Sequence, residues 1–173
     1  DRPAEMAHDT ADKLPAIRHA VCMSERLTGR SYAILTDLDA TAPLRLPEDI
    51  AGAVALVESG AADNVISVAP ARHSPYFNLL ETDGEGFARL SKPAQPPIVR
   101  RQDAPPCFDI NASIYVWRRD AFLAKPYLYG ARTRLFVMPP ERSVDIDSEL
   151  DFQFVEFLMG RARAAANARR VAT

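Results

Sequence analysis

The chain has 173 residues, of which 47% are hydrophobic and 25% charged, and this balance is typical of one globular domain with a sizeable core. Its 21 basic and 23 acidic side chains give a formal net charge of -2, which argues against a polycationic surface for nucleic acid or membrane lipid. The apolar runs are too short to span a bilayer and the first residues lack a signal-peptide pattern, so we expect a cytoplasmic protein without nucleic-acid or membrane partners.

A helix is the first predicted element. Apolar residues recur at helical spacing over 14–27, Asp12 or Thr10 is suited to cap the start of this helix, and Gly29 is suited to cap its end. This pattern predicts one amphipathic helix.

A strand over 31–38, a helix over 48–59 and a strand over 64–68 are predicted next. Strand, helix and strand with short links indicate a βαβ unit, which implies a parallel sheet. The polar stretch 36–45 directly follows the first strand, where ligands bind in open α/β sheets, although an ordinary turn-forming loop is an equal alternative.

The second half of the chain is predicted to add a hairpin, two strands and a helix. Strand-like runs over 76–80 and 87–90 flank a turn at 83–86, and prolines make 92–106 an extended surface segment. Further strands are predicted over 112–117 and 135–138. The final helix begins near Ser148 and carries one apolar stripe, which consists of Leu150, Phe154, Phe157 and Leu158.

Asp145 and Asp147 alternate around one apolar residue, so in an extended segment their carboxylates project to the same side. Two convergent acids suit Mg²⁺, which completes its ligand shell with water and phosphate oxygens. The alternative is that Asp147 caps the last helix and Asp145 is merely exposed.

Arg100 and Arg101 are adjacent, so only one of them can face a given pocket, where its planar fork would suit an anionic substrate. A solvated pair in a loop is the alternative. Asn111 precedes a predicted buried strand and either contacts a polar substrate group or forms a turn. The cysteines, Cys22 and Cys107, lack ligand spacing and are interpreted as reduced thiols.

Five stretches together resemble the acylneuraminate cytidylyltransferases, which join CTP to a nonulosonic acid such as sialic or legionaminic acid. They occur in the family's order and cover nearly the whole chain: 2–7 with 9–11, 38–45, 100–103 with Pro105, Asn111 with Ile114 and Tyr115, and 145–147 with Asp151. The resemblance implies an α/β fold with a three-layer, Rossmann-like nucleotidyltransferase sheet that is mostly parallel. It also implies one domain over 1–173, a homodimer, and a hairpin or dimerisation extension within 71–135.

The resemblance also implies roles for individual residues. Asp145 and Asp147 match the catalytic pair that binds Mg²⁺, and Arg101 matches the arginine that holds the sugar carboxylate. The expected sugar site further contains Asp39, Thr41, Gln102, Asn111 and Tyr115. The expected nucleotide site contains Thr10, Asp12 and Lys13. In the complete enzyme the anomeric hydroxyl of the sugar acid would attack the α-phosphate of CTP in line and expel pyrophosphate.

Three departures from the family pattern stand out. Many relatives have glutamine at the position of Asp39 and glycine at the position of Ala112, which leaves the identity of the sugar open. The family also begins with a strand and a glycine-rich, basic loop that cradles the CTP phosphates, whereas this chain has no glycine before Gly29. We therefore expect that the first strand and the phosphate loop are missing, that a sheet edge is exposed, and that this portion is inactive or nearly so.

Two alternatives to the cytidylyltransferase interpretation are retained. Asp37, Asp39 and Thr41 after an apolar strand also match the nucleophile motif of haloacid dehalogenase-type phosphatases, in which the first acid attacks phosphate. The other alternative is a non-catalytic module that binds a sugar acid without turning over CTP.

Overall fold

The structure, a computed structural model, describes residues 2–8 and 10–171, with side chains up to residue 164. Within this part of the chain the helices are α1 (Lys13–Thr28), α2 (Pro47–Glu58), α3 (Arg119–Ala124) and α4 (Glu149–Val171). The strands are β1 (Ile34–Leu38), β2 (Asn64–Pro70), β3 (Leu80–Thr82), β4 (Ala88–Leu90), β5 (Phe108–Arg118) and β6 (Thr133–Val137). The α/β class predicted from the sequence is confirmed. Asp9, which belongs to the first matching stretch, lies outside the described residues.

The main sheet has the strand order β1-β5-β2-β6 and is mixed. Strand β5 is antiparallel to both of its neighbours, and β2 is parallel to β6. The prediction of a mostly parallel sheet was therefore wrong, because two of the three pairs of neighbouring strands are antiparallel. The strands β1, β2 and β6 nevertheless run in the same direction. The long segment between β2 and β5 allows the chain to return in the opposite direction, which the short βαβ links do not reveal.

Strand β5 is central because it is apolar enough to be buried on both faces. Ile114, Val116 and Trp117 are 0% exposed. Alternate residues face opposite layers, as the strand period requires. On one face β5 and β2 pack with Leu35 against α1 and α3, and on the other they pack against α2. The domain is thus a helix, sheet and helix sandwich.

The caps of α1 are those the sequence predicts. Asp12 Oδ1 accepts a hydrogen bond from the backbone N–H of Leu14 at 3.0 Å, and Gly29 ends the helix in the left-handed conformation with φ 65°. The predicted hairpin is confirmed as β3 and β4, although its first strand begins only at Leu80 and residues 76–79 are not a strand. In its turn the Asp83 carboxylate accepts hydrogen bonds from the backbone N–H groups of Glu85 and Phe87. Helix α3 was not predicted, because it is too short for helical periodicity.

Helix α4 is present where expected, but its contact stripe differs from the predicted one. Val155 is 3% exposed and packs inward, whereas Leu150, Phe154 and Phe157 are 73%, 49% and 57% exposed. Two apolar stripes alternate around this helix, so periodicity alone does not decide which one faces the domain. Among the described residues, none of the helices combines the length and apolar composition that crossing a bilayer requires.

Candidate functional site

One edge of the main sheet collects the segments that carry the candidate residues. The carboxyl ends of β1, β2 and β6 lie at this edge, together with the start of β5. Loop 39–45 follows β1, segment 71–107 follows β2, and segment 138–148 follows β6. The start of α1 reaches the same edge through Lys13. In α/β sheets this is the edge at which ligands bind.

Lys13 joins two of the candidate acids to the core. Its Nζ is 2.9 Å from Asp37 Oδ2 and 3.8 Å from Asp39 Oδ2. The same ammonium lies 3.9 Å from the centroid of the Tyr115 ring, within the range of a cation–π interaction. Asp37 and Tyr115 are paired across β1 and β5, so their side chains leave the same face of the sheet. Trp117 stacks on Tyr115 from the core side with a centroid separation of 5.9 Å. Lys13, Asp37, Asp39 and Tyr115 are called the Lys13 group below.

Several charged groups act on the pKa of the Tyr115 phenol. Burial raises the pKa of its phenol, and the ammonium of Lys13 opposes that shift. The carboxylates of Asp39, Asp37 and Asp145 each raise the same pKa further. Asp145 therefore lies close enough to the Lys13 group to act on it, although it comes from a segment far away in the sequence.

Loop 39–45 is held in shape by Arg45. Its Nη1 donates hydrogen bonds to the carbonyl oxygens of Asp39 and Ala42 at 2.7 Å each, and to that of Ser113 in β5 at 3.3 Å. The Thr41 hydroxyl donates to Asp39 Oδ1 at 3.2 Å. These bonds fix the Asp39 side chain and bind the loop to the central strand.

The segment with Asp145 and Asp147 is attached to the same loop. The backbone N–H of Ile146 donates to the carbonyl oxygen of Thr41 at 2.9 Å. Asp145 Oδ1 is buried and has no hydrogen-bond partner among the described residues, whereas Asp147 is exposed. The backbone N–H of Asp147 donates to Asp151 Oδ2 at 3.3 Å, and the Ser148 hydroxyl donates to the same oxygen at 2.7 Å. This hydroxyl is also what lowers the pKa of Asp151 most.

A buried ion pair fixes the chain just before Asp145. Arg142 Nη2 is 2.6 Å from Asp49 Oδ1 and Arg142 Nε is 2.9 Å from Asp49 Oδ2. Asp49 lies in the first turn of α2, where its Oδ2 also accepts the backbone N–H of Leu46 at 2.8 Å. The hydrogen bonds from Arg142 lower the pKa of Asp49, and burial opposes them. This pair could not be predicted from the sequence, because no local spacing connects two residues so far apart.

Asn111 is buried in a polar network at an irregularity between β2 and β5. Its Oδ1 accepts the Ser67 hydroxyl at 2.6 Å, and its Nδ2 donates to the Ser143 hydroxyl at 2.9 Å. The strand register shifts between Ile66 and Val68, and the extra residues of β5 include Ala112 with φ 49°. Asn111 therefore holds β5 against the segment that leads to Asp145, and its contact with substrate stays a prediction.

Arg101 lies at the same sheet edge but in a different cavity. It begins a short 3-10 turn, Arg101–Asp103, and its Nη2 donates to the carbonyl oxygens of Ala71 at 3.3 Å and Arg72 at 2.8 Å. The adjacent cavity of about 240 Å³ is lined in part by His73, Ser74 and Cys107, and Lys13, Asp39 and Asp145 do not line it.

The two neighbours of Arg101 in the chain, Arg100 and Gln102, have different surroundings. Gln102 is exposed in the same turn. Arg100 is engaged by Asp103 through two hydrogen bonds of 2.8 and 3.0 Å. Of the two adjacent arginines, Arg101 is therefore the one that lines a cavity.

The remaining candidates lie at the start of α1. Asp12 caps the helix, and the Thr10 hydroxyl is 3.0 Å from His8 Nδ1 at the surface. Among the described residues, no group of three or more His, Cys, Asp or Glu side chains is arranged to hold a metal ion. The structure thus brings together Lys13, Asp37, Asp39, Thr41, Tyr115 and Asp145, and it does not bring Arg101 into that group.

The chain is 43% identical over 158 residues to post-translational flagellin modification protein B of Campylobacter coli. It is 42% identical over 158 residues to CMP-N,N'-diacetyllegionaminic acid synthase of Campylobacter jejuni. Each match covers 91% of this chain and 66% of the relative, so the chain spans just under two thirds of the length of these relatives.

A more distant relative extends the same assignment. N-acylneuraminate cytidylyltransferase A of Danio rerio is 28% identical over 157 residues, which are 90% of this chain and 34% of that protein. No protein-family model matches the chain. The matches confirm the resemblance drawn from the five sequence stretches, and over 91% of its length the chain is related to the acylneuraminate-type cytidylyltransferases.

Proposed function

We propose that the protein containing this chain transfers CMP from CTP to a nonulosonic acid of the sialic or legionaminic type and releases pyrophosphate. The observation that carries this proposal is the match at 42% identity, over 91% of the chain, to a CMP-N,N'-diacetyllegionaminic acid synthase. The convergence of loop 39–45 and segment 143–147 at the ligand-binding edge of the sheet supports it. The finer fold proposal is a Rossmann-like nucleotidyltransferase whose first strand and phosphate loop lie outside this chain.

The residues at this edge fit a divalent cation such as Mg²⁺. Asp145 Oδ1 is a buried carboxylate oxygen that finds no donor within the described part of the protein, and leaving such an atom unpaired is costly. The exposed Asp147 supplies a second carboxylate in the same segment. Mg²⁺ is usually bound through one or two carboxylates together with substrate phosphates and water, so two acids suffice. When bound, the cation would neutralise charge that develops on the phosphate oxygens.

The protein side chains have separate tasks in this proposal. Arg101 binds and aligns the sugar carboxylate through its planar guanidinium, and Gln102 lies beside it. Asp39 and Thr41 contact polar groups of the sugar, next to Tyr115. Asn111 shapes this wall of the site through its hydrogen bonds to Ser67 and Ser143. The segment 10–13 approaches the cytidine.

Arg101 lines the cavity described above, whereas Asp39 lines a second cavity of about 300 Å³ together with Lys13 and Asp37. The two ends of the sugar acid would therefore occupy both cavities along the sheet edge. This arrangement gives Arg101 a role in binding and alignment and leaves the reacting phosphate near Asp145 and Asp147. Alignment of the two substrates is a large part of the rate gain in phosphoryl transfer.

A homodimer is part of the proposal. The hairpin carries apolar side chains that the described residues do not cover: Leu80 is 62% exposed and Phe87 is 68% exposed. Exposed apolar side chains grouped on one hairpin are typical of a protein–protein interface. We also propose a cytoplasmic location, in agreement with the free thiols at Cys22 and Cys107.

The test is an assay of the full-length protein with CTP, MgCl₂ and either N-acetylneuraminic acid or N,N'-diacetyllegionaminic acid. We expect release of pyrophosphate and a CMP-sugar peak on anion-exchange chromatography with one of the two acids. Omission of the sugar acid is the control, because a phosphatase acting through Asp37 would release phosphate from CTP without it. Such sugar-independent release, or no product with either acid, contradicts the proposal.

A further inference from the structure

The Lys13 ammonium is enclosed on three sides by groups of its own chain. Nζ is 2.9 Å from Asp37 Oδ2, 3.8 Å from Asp39 Oδ2 and 3.9 Å from the centroid of the Tyr115 ring. The nearest carboxylate is that of Asp37, and the Asp39 carboxylate lies within the 4 Å range of an ion pair. The ammonium therefore lies between the two acids and the ring of Tyr115.

One oxygen of Asp39 accepts a hydrogen bond, and the other lies within electrostatic reach of Lys13. Oδ2 faces Lys13 at 3.8 Å, and Oδ1 accepts the Thr41 hydroxyl at 3.2 Å. The side chain nevertheless remains 35% exposed, so it can still be reached by a ligand. A carboxylate only accepts hydrogen bonds, whereas a neutral amide in its place would both accept and donate. An oriented Asp39 therefore selects a hydroxyl or amide N–H on the ligand.

Lys13 also offsets the negative charge that the carboxylates place at this edge of the sheet. Asp37, Asp39, Asp145 and Asp147 place four carboxylates there, and both proposed substrates are anions. Of the described residues, Lys13 is the only cation within ion-pair distance of any of the four. Without it, Asp37 would repel both Asp39 and an approaching sugar carboxylate.

We propose that Lys13 is a positioning residue that orients the Asp39 carboxylate toward a hydroxyl or amide donor of the nonulosonic acid. Its side chain acts on the sugar and not on CTP, although segment 10–13 approaches the cytidine. This inference rests on the proposed function, because it specifies how that same site chooses its sugar.

The experiment compares four variants of the full-length protein: Lys13→Met, Lys13→Arg, Asp39→Asn and the double variant Lys13→Met with Asp39→Asn. With the better of the two sugar acids, Lys13→Met should raise KM for the sugar about tenfold or more, since it disturbs a charged hydrogen-bond acceptor. KM for CTP and kcat should change less than about threefold. Lys13→Arg should recover most of the lost affinity.

The double variant gives the sharper result. If Lys13 acts through Asp39, the double variant should be no worse than Asp39→Asn alone, because the acceptor that Lys13 orients has already been changed. Lys125→Met is the matched control, since Lys125 is exposed at the end of α3 on the opposite edge of the sheet. We expect it to leave both KM values unchanged.

Three outcomes overturn the inference: a rise in KM for CTP alone, fully additive losses in the double variant, or unchanged kinetics of Lys13→Met. Circular dichroism checks folding, and if Lys13→Met unfolds, Lys13→Gln takes its place. If the wild type makes no CMP-sugar, the proposed function fails and calorimetric binding of the two sugar acids tests Lys13 separately. Binding that weakens about tenfold in Lys13→Met supports the inference, and unchanged or absent wild-type binding overturns it.

Discussion

The backbone N–H of Ile146 donates a hydrogen bond of 2.9 Å to the carbonyl oxygen of Thr41. This bond joins the loop after the first strand of the sheet to the segment before its last helix. It brings Asp39 and Asp145 to one edge, close enough that both raise the pKa of Tyr115. Two motifs at opposite ends of the sequence thereby form one candidate site.

The first prediction concerns the two metal-binding candidates. In the full-length protein, Asp147→Ala should lower kcat by about 100-fold or more, because a ligand of the cation that would stabilise transition-state charge is lost. The thermal unfolding midpoint should stay near that of the wild type, since Asp147 is exposed. Addition of EDTA should abolish wild-type turnover, and excess MgCl₂ should restore it.

Asp120→Asn is the control for this experiment. Its carboxylate is 87% exposed and pairs with Arg119 at the other edge of the sheet, so kcat should not change. Near-normal pyrophosphate release from Asp147→Ala would remove Asp147 from the metal site.

The second prediction separates the two adjacent arginines. Arg101→Gln should raise KM for the sugar acid about tenfold or more with little change in kcat, because binding to a carboxylate is lost in ground and transition states alike. Arg100→Gln is the matched control, since Arg100 is already engaged by Asp103. Steady-state kinetics with varied sugar acid measure both. Equal effects of the two substitutions would argue against a specific role for Arg101.

The third prediction concerns backbone strain in β5. Ala112 has φ 49°, a left-handed conformation that costs a non-glycine residue about 1 kcal/mol or more. Ala112→Gly should therefore raise the free energy of unfolding by about 1 kcal/mol and the unfolding midpoint by about 2 to 4 °C. Ala104→Gly is the control, because Ala104 has an ordinary φ of -75° and glycine there should be neutral or destabilising. A lower midpoint for Ala112→Gly would contradict the strain.

The fourth prediction concerns the Asp49 and Arg142 pair. The side chains of Asp49 and Arg142 are 5% and 29% exposed, so Arg142→Gln should leave a buried carboxylate unpaired and lower the free energy of unfolding by about 2 to 3 kcal/mol at pH 7. Urea denaturation of both proteins measures the difference.

The pH dependence of that difference has a definite sign. The pKa of Asp49 is lowered from its ordinary value of 3.8, so the pair stabilises the folded state fully above that pH. The stabilisation is lost as the pH falls through the lowered pKa, where the folded carboxylate takes up its proton. The gap between wild type and Arg142→Gln should therefore narrow below about pH 4. A gap that stays constant down to pH 2 would show that the charge of Asp49 is not involved.

The fifth prediction tests the proposed dimer. Phe87→Glu in the hairpin should convert the full-length protein to a monomer, since a charge would be buried in an apolar interface. Light scattering coupled to size-exclusion chromatography measures the mass. Leu27→Glu is the control, because Leu27 is 78% exposed on α1 and lies away from the hairpin. A wild type that is already monomeric, or a dimeric Phe87→Glu, would contradict the proposal.

The elements with local signals could be predicted from the order of residues. The Asp12 and Gly29 caps define α1, and the turn at Asp83 to Gly86 defines the hairpin. Each depends on contacts between residues a few positions apart, and the residue type alone specifies them. The family, too, could be recognised from five short stretches in order.

The strand order, the outward stripe of α4 and the partners of the candidate residues depend on the packing of the folded chain and could not be predicted. An apolar run such as β5 is buried equally well in either direction, so its composition does not reveal that it is antiparallel. The Lys13 group, the Asp49 and Arg142 pair and the separate cavity of Arg101 depend on contacts between residues far apart in the chain. Packing of the whole sheet, and not any local pattern, brings those side chains together.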